Sequence, residues 1–186
     1  FKEIEEDGVV KNLRLRNQQV DSGDEIGAVA NVNNGIIRQV IVEDSVIEGR
    51  DRVGGLAGVN KGCIDNCIVN STTVRGRNVV GGFVGLCSDS YTRHCQAYNC
   101  EIETDSIGDD ESYGGGFAGG VQNKSIVMDC HSSGSIQGEY TGQFVGQGSE
   151  GDYGNHLIKR CVSSVTGASR VFAFDSNHLI EHGYYD

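Results

Sequence analysis

Proline and tryptophan are absent from the 186 residues, and methionine occurs once. Without proline every backbone N–H remains a donor, as continuous β ladders require. No run of 18 apolar residues occurs either, which excludes a membrane-crossing helix within this stretch. Basic residues are scarce: 15 Lys and Arg stand against 26 Asp and Glu, a formal net charge of −11. A nucleic-acid backbone is gripped by clustered cations, so no nucleic-acid partner is expected. The acids gather in 3–7, 21–25 and 101–111, with Glu150 and Asp152, and read chiefly as solvated loops. None has the spacing of an EF-hand loop or a nonapeptide calcium repeat, so no cofactor is expected, calcium on an acidic turn being the only one left to consider. The stretch opens at Phe1 without a Met or a charged-then-apolar leader, and reads as a processed or excised segment.

Glycine, by contrast, is abundant, and its 28 copies are about twice the usual ~7% share. Their spacing organises the chain. Shifting residues 26–50 by about 27 positions onto 53–77 places Gly27 on Gly54, Ala30 on Ala57, Val32 on Val59, Asn33 on Asn60, Gly35 on Gly62 and Ile37 on Ile64. A fixed period of this length marks a solenoid, in which each unit buries its apolar face only against its neighbours. The units read as a partial first coil over 1–23, five repeats over 24–170 and an irregular C-terminal cap over 171–186, all in one domain. Polar, glycine-rich departures from the period at 88–93, 104–111 and 148–155 read as loops.

Each unit contains three short extended segments separated by Gly, Asn, Asp or Ser. The expected fold is all-β: a parallel β-solenoid of about six coils, three short strands per coil, with like residues stacked in ladders along its axis. One ladder holds Leu13, Val40, Cys67, Cys95, Cys130 and Cys161. Because Leu and Val share the position with Cys, it reads as a buried apolar slot, and the cysteines as reduced core thiols rather than zinc ligands or a disulfide framework. Seven cysteines is also an odd number, so at least one thiol is unpaired within the chain. A second ladder follows the glycine pair: Val29, Leu56, Phe83, Phe117 and Phe144, with Ala30, Ala57, Val84, Ala118 and Val145 beside it. Adjacent residues that are both apolar predict an internal turn that points both columns inward.

The stretch from Val53 to Val74, with Gly54-Gly55-Leu56-Ala57-Gly58, the Asn60-Lys61-Gly62 turn and Ile64-Asp65-Asn66-Cys67, resembles the GLUG-motif repeat family. The likeness runs over about residues 24–170, and His94-Cys95, Asp129-Cys130 and Arg160-Cys161 depart from the family's Asn-Cys pair. The resemblance implies a right-handed solenoid in a secreted or cell-surface bacterial protein, and it transfers no catalytic residues.

Enzyme signatures carry little here. Gly114-Gly115-Gly116-Phe117-Ala118-Gly119 has the dinucleotide-binding spacing, but it is one copy of the repeat with no helix after it. The five histidines lack metal spacing, and neither a nucleophile elbow nor a catalytic-cysteine context is present. A polysaccharide-active β-helix enzyme is the serious alternative, with Asp65, Asp89, Asp105, Asp129 and Asp152 as carboxylates and Tyr91, Arg93 and Arg160 as helpers. Alternation along a strand predicts that Asp65 and Asp129 point to opposite faces and do not converge. Asn70 and Asn123 open glycosylation sequons. The expected role is a non-enzymatic structural or adhesion module of an extracellular or cell-surface protein, with a self-assembling filament subunit as another alternative. Its partners would be a protein or glycan at a cell surface, or copies of itself. The expected binding loops carry Tyr91, Arg93, Asp109, Asp110, Tyr113, Asp152 and Tyr153.

Overall fold

The chain winds through parallel ladders with no helix between them. The computed structural model describes residues 1–21, 23–105, 112–148, 156–168, 170–172, 179–181 and 184–185. A partial first turn holds β1 (Glu3–Ile4), β2 (Val9–Arg16) and β3 (Gln19–Val20). Turn 2 holds β4 (Glu25–Gly27), β5 (Ala30–Asn33), β6 (Ile36–Glu43) and β7 (Val46–Glu48). Turn 3 holds β8 (Arg52–Gly54), β9 (Ala57–Asn60), β10 (Cys63–Asp65), β11 (Ile68–Asn70) and β12 (Thr73–Gly76). Turn 4 holds β13 (Val79–Gly81), β14 (Val84–Ser88), β15 (Tyr91–Arg93) and β16 (Gln96–Thr104). Turn 5 holds β17 (Tyr113–Gly115), β18 (Ala118–Gln122), β19 (Ile126–Met128) and β20 (His131–Gln137). Turn 6 holds β21 (Tyr140–Gly148), β22 (Leu157–Lys159) and β23 (Val162–Thr166), and the end adds β24 (Arg170–Phe172), β25 (Leu179–Glu181) and β26 (Tyr184–Tyr185).

All these pairings are parallel, and they form an 11-stranded and a 15-stranded sheet. The result is a β-solenoid of about five complete turns with partial rungs at both ends, one fewer full turn than expected because the first unit lacks half its strands. The expected three segments per turn are further divided into four or five strands in turns 2 to 5, by a bend in the first segment and a left-handed residue in the second. The segment 171–186, expected as a cap, carries β24, β25 and β26, which pair in parallel with β21, β22 and β23.

The bend is the predicted internal turn. Leu56 and Ala57 are adjacent and both fully buried, as are Phe83 with Val84 and Phe117 with Ala118. Glycine makes it, since a Cβ on Gly115 would lie 1.9 Å from the Ala118 carbonyl oxygen and one on Gly81 2.0 Å from that of Val84. The two arms of the bend thus touch backbone to backbone. On its inner side Phe83, Phe117 and Phe144 stack with ring centroids 4.7 and 4.9 Å apart and planes within 11° and 4°. Each amide of Leu56, Phe83 and Phe117 donates to the carbonyl of the equivalent residue one turn on.

The cysteine ladder is buried as expected, and all seven cysteines are free thiols. Leu13, in the partial first turn, is only half-buried. Ahead of the ladder stands a column that was not foreseen: Asn12, Gln39, Asn66, His94, Asp129 and Arg160 all have φ between 51° and 55°. A left-handed residue breaks the alternation of a strand, so Ile64 and Cys67, three apart, both point inward.

Candidate functional site

Outside this break, on the 15-stranded sheet, β10, β15, β19 and β22 lie in register and place Asp65, Arg93, Met128 and Lys159 in one outward column. The left-handed residues Asn66, His94, Asp129 and Arg160 form the next. Each loses its alternation at the same point, so the two columns lie side by side on the surface. This corrects the expectation that Asp65 and Asp129 face opposite ways. His94 lies between them, with Nδ1 3.2 Å from Asp65 Oδ1 and Nε2 3.8 Å from Asp129 Oδ2. Arg93 donates to Asp65 through Nη2 at 3.1 Å, and Arg160 grips Asp129 with two bonds of 2.6 Å. The Arg93 guanidinium also sits 5.5 Å from the centre of the Tyr91 ring, whose hydroxyl donates to Met128 Sδ at 3.2 Å.

The electrostatics follow from these bonds. Burial alone would raise the Asp65 carboxyl, but hydrogen bonds from Arg93 and His94 outweigh it and hold it below the ordinary carboxylate value. Hydrogen bonds from Arg160 do the same for Asp129. Both side chains are therefore ionised acceptors at neutral pH. Several other outward acids are also bonded. Arg75 bridges Glu48 at 2.9 Å and Glu103 at 2.6 Å, Asn123 donates to Asp89 at 3.0 Å, and Arg50 pairs with Asp24. A cleft of about 600 Å³ near the first rungs is lined by Glu3, Glu25 and Asp51, which bond Asn34, Arg52 and Asn78. Among the described residues, no group of three or more His, Cys, Asp or Glu side chains is placed to hold a metal ion.

The expected binding residues are thus dispersed. Tyr91 and Arg93 are strand residues of β15, not loop residues, and Arg93 lies in the ion-pair column. Tyr113 opens β17, buried and stacked on Tyr140 at 5.5 Å. Asp109, Asp110, Asp152 and Tyr153 lie outside the described residues. Sequence reasoning missed His94 as the residue between Asp65 and Asp129. The signal was present, since each Cys-ladder residue is preceded by a polar residue in every unit.

No curated protein and no solved structure matches the chain. Residues 110–137, one full turn through β17 to β20, match the family model of the GLUG motif, so this β-solenoid carries the GLUG motif on one of its rungs.

Proposed function

We propose that the chain is a non-enzymatic structural and adhesion module of an extracellular or cell-surface bacterial protein, a rigid rod that holds inserted segments outward. One observation carries the reading. One run of outward ionic groups, Arg93–Asp65–His94–Asp129–Arg160, is engaged in contacts between turns rather than left converging on a substrate. The depressed carboxyls of Asp65 and Asp129 support it further, because a glycosidase needs one carboxyl held protonated.

Two further features fit. The two longer departures from the period fall between β16 and β17 and between β21 and β22, and those strands pair in register with a neighbouring turn, so an insertion there starts and ends on a fixed frame. Six of the seven thiols are buried, which shields them in an oxidising setting without a disulfide. The test is light scattering with negative-stain microscopy, alongside a reducing-end assay on a polysaccharide panel. The reading expects short discrete rods of monomer mass and no released sugar. Long regular filaments, or reducing ends formed in proportion to protein, would overturn it.

A further inference from the structure

A second groove crosses the outer face of the 15-stranded sheet, on the strands that follow the left-handed column. Outward residues of β2, β6, β11 and β16 form two ridges along the solenoid axis. Arg14, Ile41, Ile68 and Gln96 are in register on one side, and Glu43, Asn70 and Tyr98 on the other. Between them the chain turns Val42, Val69 and Ala97 into the core. The groove so formed has a volume of about 310 Å³.

Its chemistry is mixed in a specific way. One wall is aliphatic, made by the half-buried Ile41 and Ile68. Tyr98 stands at one end, 47% exposed, whereas most other large apolar side chains among the described residues are buried. Among the described residues, neither the Tyr98 hydroxyl nor the Gln96 side-chain amide has a hydrogen-bond partner. Charge in the groove cancels: Arg14 lies 3.7 Å from Glu43, and Arg16 3.5 Å from Glu43 and 3.3 Å from Asp44. Glu43 Oε2 is nevertheless a buried acceptor with no hydrogen bond, 3.5 Å from Nε of Arg16, whose side chain is about 60% exposed.

A ligand matched to this surface is uncharged, has an apolar face and carries hydroxyls. An extended peptide fits less well, because it is held by an open strand edge and β11 is already paired on both sides. We propose that the groove binds a neutral glycan laid along the solenoid axis, with a sugar face against Tyr98 and Ile68 and its hydroxyls on Gln96, Asn70 and Glu43. The inference deepens the adhesion reading above and rests on it for the surface setting.

The experiment is calorimetric titration of the intact chain with cellohexaose, a β-1,3-glucan oligosaccharide and an α-1,6-mannan oligosaccharide, with polygalacturonate as an anionic comparison. The proposal expects saturable binding of at least one neutral glycan. Tyr98→Ala and Gln96→Ala should each weaken it about tenfold or more at an unchanged melting midpoint, and Arg93→Ala, in the other columns, should leave it alone. Absence of neutral-glycan binding, a preference for polygalacturonate, or binding indifferent to Tyr98→Ala would overturn it, and would leave the rod reading standing on its own shape and mass. A glycan bound through Tyr98 and also cleaved would uphold the groove while overturning the non-enzymatic reading.

Discussion

Inward from turns 4, 5 and 6, Phe83, Phe117 and Phe144 lie ring on ring; outward from the same turns, Arg93, His94, Asp129 and Arg160 interleave opposite charges. Both faces feel the same constraint, a neighbour one strand spacing away at about 4.8 Å. Apolar groups meet it by repeating, since identical shapes interdigitate and exclude water. Like charges at that distance repel, so in the column Arg38, Asp65, Arg93 and in the set Glu48, Arg75, Glu103 the sign alternates from turn to turn, while the inner columns keep apolar residues. The period of the chain is therefore written on its inner face, and its variation on the outer one.

The largest expected effect that separates the two faces is on thiol chemistry. Burial pushes the Cys87 and Cys100 thiols up to about 12 and Cys130 well above its ordinary value. Iodoacetamide at neutral pH should label Cys63 alone in the folded chain and every cysteine in denaturant, read by mass spectrometry. Labelling of the inner ladder without denaturant would break the comparison. Phe117→Ala, which removes the middle ring of the stack, should then cost about 3–5 kcal/mol in urea unfolding. Gly115→Ala places a methyl against the Ala118 carbonyl and should cost about 1–3 kcal/mol by the same measurement, although it adds apolar surface.

Smallest is the outer face. Arg75→Ala should cost no more than about 1 kcal/mol, and the difference should shrink as salt is added. The carboxylates give the sign of the pH dependence. Folded Asp65 and Asp129 titrate below their unfolded values, so their contribution is complete above the unfolded carboxylate pKa of about 4 and is lost as pH falls through the folded values. Asp129→Asn should therefore lower the urea midpoint at pH 6, and by progressively less as pH falls below about 4.

The period, the inward columns and the bend at the glycine pair were all legible in the sequence, because apolar identity and glycine recur at fixed offsets. The left-handed column was not. Asn12, Asn66, His94 and Asp129 suit a positive φ, but Gln39 and Arg160 give no such signal, and they hold it in line with the neighbouring turns. Missing that column reversed the predicted direction of Asp129 and hid its meeting with His94. The Tyr98 groove was equally invisible, since its lining comes from four successive turns and its residues share no common type.

The central claim is that successive turns stack in fixed register as one rod, and it is most directly tested by a distance. Spin labels at Arg14 and Val162, linked through the in-register residues Ile41, Ile68, Gln96 and His131, stand five rungs apart. At about 4.8 Å per rung, pulsed electron resonance should return one narrow distribution centred near ~24 Å, broadened only by the label tethers. A wide or multi-peaked distribution, or a centre well away from that value, would contradict the stacked solenoid on which the account rests.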